Sequence, residues 1–142
     1  MIGIDTNVLL RWLVDETLWP IDDPEQVAAA RQALSDPTNR FFIDTVVLAE
    51  TIWVLGKPLR QSKPVLLNLL DRLMKATNIE IESRDAVTAA VGSFARGPGG
   101  FTDHLIGAIN RHAGCHTTLT FDKAAGRTPN FTRLGASSRS GV

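Results

Sequence analysis

A single cysteine, Cys115, is present among the 142 residues of the sequence. This scarcity excludes a disulfide framework and a cysteine-based zinc site, and it favours a reducing compartment. The sequence also lacks any run of 18 consecutive apolar residues, and it starts without the basic and apolar segments of a signal peptide. We therefore expect a soluble cytoplasmic protein that makes no membrane contact, with Cys115 as a small core residue.

An excess of either charge is also lacking, since 15 basic residues balance 15 acidic ones. A strongly basic domain attracts nucleic acid through its whole electric field, so here any polyanion must be held locally. The length suits one domain with a substantial core. We place a single folded domain at residues 1–134 and a flexible C-terminal tail, small and polar, at residues 135–142.

The chain opens with a short apolar strand, residues 1–4, whose lack of alternation predicts a central parallel strand buried on both faces. Asp5 follows it directly, and Asp5, Thr6 and Asn7 offer capping side chains for a helix over residues 8–14. Ligand sites in open α/β sheets lie outside the carboxyl ends of the strands. Asp5 is therefore a candidate for chemistry, and the alternative is a purely structural role as a helix cap.

A second strand at residues 40–43 leads, through a Thr45 cap, into a helix over residues 46–55. This helix is apolar almost all round, which predicts a central position, and Glu50 is its only charged residue. A buried carboxylate is costly unless it meets a cation or hydrogen-bond donors. We therefore expect Glu50 near the same sheet edge as Asp5; the alternative is that Glu50 lies on a narrow exposed stripe.

Local signals predict several further elements. Asp23 and Ser62 each cap a helix that has a proline in its first turn. Alternating residues at 79–82 predict an edge strand, which is followed by a helix capped by Ser83. A last short edge strand is expected at residues 131–134.

Two more carboxylates stand where a helix or turn begins. The Gly-rich loop at residues 97–100 precedes a helix that Thr102 can cap and whose first turn carries Asp103. A β-prone run at residues 115–121 ends at Asp122. The alternation of strands and helices along the chain predicts an α/β fold, in which helices cover both faces of a parallel sheet.

Asp5, Glu50, Asp103 and Asp122 would then lie at one edge of that sheet. Four like charges within a few ångströms repel one another unless a cation joins them or some are protonated. Carboxylate oxygens without a cysteine or histidine cluster select Mg²⁺ or Mn²⁺ over zinc. A cation with so few protein ligands keeps open positions, which suits hydrolysis of a phosphate ester.

The positions of these four acids also resemble a known family. The sequence is similar to the PIN-domain nucleases, and most of all to the VapC-like ribonuclease toxins of type II toxin-antitoxin pairs. The order and spacing of the motifs carry the resemblance, which covers about residues 1–134. The segments that match the family's four motifs are Ile4-Asp5-Thr6-Asn7, the helix around Glu50, Thr102-Asp103 and Thr120-Phe121-Asp122-Lys123.

This resemblance implies that Asp5, Glu50, Asp103 and Asp122 are catalytic and bind Mg²⁺ or Mn²⁺. It implies a three-layer α/β/α sandwich with a central parallel sheet of four to five strands. The implied activity is hydrolysis of single-stranded RNA by an endoribonuclease. The implied partners are a second copy of the chain, in a homodimer, and a cognate antitoxin that covers the site, with DNA contacted only through the antitoxin.

Other polar residues near the motifs are expected to assist. Those that could support the site or orient the substrate are Thr6, Asn7, Thr120 and His104. His104 stands where the family commonly has a small residue, and the alternative for it is a hydrogen-bonded structural role. Residues that could contact RNA phosphates, with solvated charge as the alternative for each, are Arg11, Arg96, Lys123 and Arg127.

Two other functions stay open. A phosphatase of the haloacid-dehalogenase kind also has an Asp after its first strand, but it needs a second Asp where this chain has Asn7. A non-catalytic PIN-like protein would keep the fold and only bind RNA or a protein partner. Trp12, Trp19 and Trp53 are expected to be packing residues. The alternative is that Trp12 or Trp19 lies in an exposed groove, which would suit a partner helix.

Overall fold

The computed structural model describes residues 1–13 and 23–135. These residues form six α-helices, five short strands and one turn of 3₁₀-helix. Every strand pairing among them is parallel, which confirms the predicted α/β class. None of the helices described is long and apolar enough to span a membrane. The chain consists of two compact units, residues 1–82 and residues 83–142.

The first unit contains a three-stranded parallel sheet and four helices. Its elements are β1 (Ile2–Gly3), α1 (Thr6–Leu13), α2 (Pro24–Leu34), β2 (Phe41–Ile43), α3 (Thr45–Gly56), α4 (Lys63–Lys75) and β3 (Ile79–Ile81). β2 is the middle strand, with Phe41 paired to Ile2 on one side and to Ile79 on the other. The core of this unit is built from leucine and isoleucine side chains with almost no exposed surface, including Leu9, Leu13, Ile43, Leu48, Ile52, Leu70 and Leu73.

β1 differs from its prediction. It lies at one edge of the three-stranded sheet, not at its centre, and Ile2 is 47% exposed. Ile4 is buried, but it follows the two residues that form the ladder with β2. A ladder of two residues is too short for the apolar pattern to reveal which sides of a strand are covered. β3 lies at the opposite edge, as predicted, with alternating burial along Ile79, Glu80 and Ile81.

The start of α3 is fixed by two carboxylates. Asp44 is the N-cap residue, and its Oδ1 accepts a hydrogen bond of 2.8 Å from the backbone N–H of Val47. Thr45, which we predicted as the cap, is instead the first helical residue. It donates its backbone N–H and its hydroxyl to Glu82 Oε1, at 2.8 and 3.0 Å. The residue after β3 is thereby tied to the beginning of α3.

The second unit contains two helices and a two-stranded sheet. Its elements are α5 (Arg84–Arg96), α6 (Phe101–His112), β4 (Thr118–Thr120), the 3₁₀ turn Ala125–Arg127 and β5 (Phe131–Arg133). α5 packs against α6, with the rings of Phe94 and Phe101 edge to face at 5.8 Å. β4 pairs with β5, which confirms the predicted last strand. The five strands therefore form a sheet of three and a sheet of two, where one sheet of four to five strands was expected.

Predictions for three residues of this unit need correction. Ser83 is the N-cap residue of α5, as predicted, but its side chain makes no capping hydrogen bond. Thr102 lies inside α6, whose N-cap residue is Gly100. Cys115 is exposed, because it follows the turn at Gly114 (φ +102°) between α6 and β4. The predictions for Trp19 and for the tail beyond Gly135 lie outside the residues that the structure describes.

Candidate functional site

Asp5 occupies the turn between β1 and α1. Its Oδ1 accepts a hydrogen bond of 2.8 Å from the backbone N–H of Thr6, and its carbonyl oxygen accepts from Val8 and Leu9. The residue therefore does begin the helix, which was the structural alternative. Its side chain is nevertheless exposed, and no described residue donates to its other carboxylate oxygen. One oxygen of Asp5 thus serves the helix while the other is open to a ligand.

Residues of α1 beside Asp5 line a groove. Thr6 is buried and Asn7 is exposed, with the Asn7 carbonyl accepting a hydrogen bond of 3.1 Å from Arg11 Nη1. Asn7 and Arg11 border a groove of about 550 Å³ between α1 and the alanine-rich face of α2. The Nε atom of Arg11 is buried without a partner among the described residues. One nitrogen of the Arg11 guanidinium is therefore already hydrogen-bonded to the backbone of α1.

Glu50 lies on an exposed stripe of α3. Val46 and Trp53, one turn before and one turn after it on the same face, are 73% and 53% exposed. The opposite face of α3 is buried through Leu48, Ile52 and other apolar side chains. We expected α3 to be buried on all sides, and this prediction is wrong. The structure instead has the alternative, in which Glu50 lies on a narrow exposed stripe of the helix. No described residue hydrogen-bonds or ion-pairs with the Glu50 carboxylate.

In the second unit, the Gly-rich loop lies beside Asp103 and beside the turn that holds the Asp122 carboxylate. Gly99 has φ +90°, and a Cβ atom added to it would lie 3.8 Å from Asp103 Oδ2 and 3.9 Å from the backbone nitrogen of Ala125. That same Ala125 nitrogen donates a hydrogen bond of 2.7 Å to Asp122 Oδ2. The loop therefore places one carboxylate from the start of α6 near another from the turn after β4.

The Asp122 side chain is held by its own turn. Its backbone N–H donates to Thr120 Oγ1 at 3.0 Å, and its carbonyl oxygen accepts from Gly126 at 3.0 Å. The Thr120 hydroxyl oxygen thus accepts a hydrogen bond from the backbone of Asp122. Asp122 is exposed and its Oδ1 has no described partner; Lys123 beside it is also exposed.

His104 is buried, with 4% of its surface exposed. Its Nε2 lies 2.8 Å from the carbonyl oxygen of Pro98, and its Cε1 would lie 3.6 Å from a Cβ atom on Gly97. Its ring also packs near Phe94, at 6.1 Å between centroids. These contacts favour the structural alternative for His104, because the imidazole holds the loop that carries Gly99.

Arg96 and Arg127, two of the four predicted RNA contacts, border the same cavity. Phe131 and Asn130 also line it, and the sequence analysis did not single out either residue. A signal for Phe131 was present: Gly107 is a glycine inside a helix, which often marks a close approach of another group. A Cβ atom on Gly107 would lie only 2.7 Å from Phe131 Cε2.

The carboxylate oxygens of the four predicted acids are potential ligands for a divalent metal ion. Asp5, Glu50, Asp103 and Asp122 each keep at least one oxygen without a described hydrogen-bond donor, and such hard oxygens suit Mg²⁺ or Mn²⁺. Within neither unit do three or more acidic, histidine or cysteine side chains of the described residues group closely enough to hold a metal. The chemistry of these carboxylates nevertheless fits a hard divalent cation.

A family model described as the PIN domain matches residues 2–130 of the sequence, which is most of the chain. The matched range includes Asp5, Glu50, Asp103 and Asp122. Neither the curated proteins nor the solved structures include a match to the sequence.

Proposed function

The chain belongs to the PIN domain family, whose members are typically nucleases that depend on a metal, and from this we propose that it is a Mg²⁺- or Mn²⁺-dependent endoribonuclease. The observation that carries the proposal is that Asp103 and the turn holding the Asp122 carboxylate both lie beside Gly99. No described basic residue pairs with either carboxylate. Two carboxylates without a counter-ion favour a divalent cation, which offsets their repulsion.

We propose that Asp5, Glu50, Asp103 and Asp122 are the catalytic acids of the chain and that they are the ligands of the metal. A bound divalent cation lowers the pKa of water and stabilises the leaving oxygen of a phosphodiester. The chain itself orients the ligands. The Thr6 N–H fixes one oxygen of Asp5, and the Ala125 N–H fixes one oxygen of Asp122, so that each presents its other oxygen.

Identity as a toxin is part of the same proposal. We infer a VapC-like cytoplasmic toxin that forms a homodimer, is inhibited by a cognate antitoxin and reaches DNA only through that antitoxin. The exposed apolar side chains of Val46 and Trp53 on either side of Glu50 support a protein partner at this face of α3. An antitoxin seated there would cover a proposed metal ligand.

The test is cleavage of labelled single-stranded RNA by the purified chain with Mn²⁺, Mg²⁺ or EDTA. We expect Asp5→Asn, Glu50→Gln, Asp103→Asn and Asp122→Asn each to reduce the rate by at least about 100-fold, because each removes a proposed ligand. The controls are Glu25→Gln and Asp85→Asn, which change an exposed acid in each unit and should cleave normally. Cleavage that survives EDTA and Asp5→Asn would contradict the proposal.

A non-catalytic PIN-like protein that binds RNA or a protein partner is the second candidate. It is favoured by the finding that no three potential ligands group together within the described part of either unit. Calorimetric titration separates the two functions. A catalytic protein should bind Mn²⁺ and lose this binding in the Asp103→Asn variant, whereas a purely binding protein should show no Mn²⁺ uptake.

A further inference from the structure

A cavity of about 340 Å³ lies within the second unit, and we call it the Arg96 cavity. It is formed by the end of α5, the loop that follows, and the chain from the 3₁₀ turn to β5. Its volume falls within the range of about 300 to 1,000 Å³ that is common for ligand pockets. The lining residues that matter here are Arg96, Pro98, His104, Arg127, Asn130 and Phe131.

Two arginine residues, Arg96 and Arg127, line the cavity. Neither Arg96 nor Arg127 forms an ion pair or a side-chain hydrogen bond with any described residue. Gly92 leaves room for Arg96 beside α5, since a Cβ atom there would lie 3.2 Å from Nη1. A cation without a counter-ion attracts an anion. The planar donor fork of arginine matches a phosphate group.

The same cavity also carries a fixed aromatic ring. Phe131 is half-buried, and its ring edge rests on the backbone of α6 at Gly107. A ring that is already ordered loses little entropy when a flat ligand stacks on it. Asn130 adds an amide that both donates and accepts hydrogen bonds. A flat, partly polar group attached to a phosphate would satisfy all of these features, and a nucleotide is such a group.

The Gly-rich loop connects this cavity to the acidic pair. Gly97 and Pro98 line the cavity, while Gly99 lies against Asp103 Oδ2 and the Ala125 nitrogen. Gly97 and Gly99 are separated by at most about 7 Å of chain. A strand of RNA with one nucleotide in the cavity would therefore have its neighbouring phosphate near Gly99 and Asp103.

We propose that the Arg96 cavity binds one unpaired nucleotide of the RNA substrate, next to the bond that is cut. Arg96 and Arg127 bind its phosphate, Phe131 stacks on its base and Asn130 reads the edge of the base. The identity of the ligand as RNA rests on the proposed function. The requirement for a splayed, unpaired base restricts the substrate to single-stranded segments.

RNA binding in EDTA tests this proposal without cleavage. The probe is a fluorescein-labelled pool of single-stranded RNA of about 12 nucleotides, measured by anisotropy at several salt concentrations. The double variant Arg96→Gln, Arg127→Gln should bind more weakly and flatten the slope of log Kd against log salt by about 0.7 for each lost phosphate contact. Phe131→Leu should weaken binding by at least about fivefold without changing that slope, because it removes stacking and no charge.

Arg111→Gln is the matched control, since Arg111 is an exposed arginine of the same unit that lies outside the cavity. A second measurement stands apart from any variant: RNA carrying 4-thiouridine, irradiated with wild-type protein, should crosslink within residues 127–131. This map decides the matter if Phe131→Leu fails to fold.

The outcomes separate this proposal from the proposed function. Cavity variants that bind RNA as Arg111→Gln does, with no crosslink in residues 127–131, overturn the nucleotide site even if the wild type cleaves RNA. The expected slopes and crosslinks support the nucleotide site even if no RNA is cleaved, and in that case only the nuclease activity fails. The nucleotide site is also overturned if the wild-type chain binds no RNA.

Discussion

The Nε2 atom of His104 lies 2.8 Å from the carbonyl oxygen of Pro98. A carbonyl oxygen only accepts, so the imidazole carries its proton at Nε2 and donates it. This bond ties the first turn of α6 to the loop that precedes it. Since that loop lines the Arg96 cavity and places Gly99 beside Asp103, one buried imidazole positions both features.

Replacing His104 by phenylalanine should loosen this loop. Phenylalanine keeps an aromatic ring, although a larger one, and the Pro98 carbonyl loses its donor, so we expect the free energy of unfolding to fall by about 1 kcal/mol or more. Amide hydrogen exchange at Gly99 and Gly100 should accelerate. Urea denaturation and exchange measured by NMR check both effects. His116→Phe, at an exposed histidine without a described partner, is the control, and equal exchange in the two variants would contradict the role of His104.

Two glycines inside helices should respond oppositely to alanine. Gly107→Ala puts a Cβ atom 2.7 Å from Phe131 Cε2, so the ring must move, and we expect a loss of about 1–3 kcal/mol of stability. Gly92→Ala meets only the mobile end of Arg96, at 3.2 Å, and should gain about 0.5–1 kcal/mol from helix propensity. Chemical denaturation of the two variants tests this. Stabilisation by Gly107→Ala would contradict the prediction, because it would show that the Phe131 ring moves aside at little cost.

The N-terminus of α3 depends on Asp44, the residue before the cap that we predicted. Asp44→Ala removes the 2.8 Å bond to the Val47 N–H and should cost about 0.5–2 kcal/mol. Asp44→Ser keeps a capping oxygen and should lose little. Thermal unfolding compares the three proteins. If alanine and serine at this position were equally stable, the cap would contribute nothing.

The carboxyl group of Asp36 should titrate at low pH. The Thr38 hydroxyl and the Thr38 backbone N–H, at 2.7 and 2.9 Å from Oδ1, lower the pKa of Asp36 below its ordinary value of 3.8. Because the folded-state pKa is the lower one, the stabilisation is present above the unfolded-state pKa and is lost as pH falls through the folded-state pKa. Thr38→Val should raise the Asp36 pKa, which an NMR titration of side-chain carboxyl carbons measures. An unchanged pKa would refute the hydroxyl contribution.

Substitutions of Asp103 and Asp122 should have different effects on the stability of the protein but the same effect on its affinity for metal. Asp122→Ala loses the bond from the Ala125 N–H, so we expect a cost of about 0.5–2 kcal/mol, whereas Asp103→Ala breaks no described hydrogen bond and should stay within about 0.5 kcal/mol of wild type. Asp122→Asn keeps an acceptor and should restore stability. All three variants should lose Mn²⁺ affinity by calorimetry. Retained affinity in Asp122→Asn would remove Asp122 from the proposed metal site.

Local signals in the sequence were sufficient for several elements. The Asp23 side chain caps α2 through the Gln26 N–H at 3.1 Å, and Ser62 caps α4, both as predicted. Such caps act over three residues of chain, so the sequence contains both partners of the contact. The parallel α/β class and the membership of the PIN domain family follow in the same way from patterns along the chain.

Contacts between segments that are distant in the sequence could not be predicted from such local patterns. The exposure of Glu50, the edge position of β1 and the exposure of Cys115 each depend on which surfaces another segment covers. Apolar periodicity reports that a face is suited to burial, not what reaches it. A helix rich in apolar residues can therefore still present Val46 and Trp53 to solvent.

The sequence by itself determined which acidic residues are present, the place of Asp5, Asp103 and Asp122 after strands or at a helix start, and the family, because each is a matter of residue type and spacing. Only the tertiary structure decided that His104 donates to Pro98, that Gly99 brings Asp103 towards Asp122, and that Phe131 rests on Gly107 beside Arg96. The Phe131 contact joins segments 24 residues apart in the chain, and its geometry depends on a glycine with no side chain, so neither its partner nor its distance can be read from residue order.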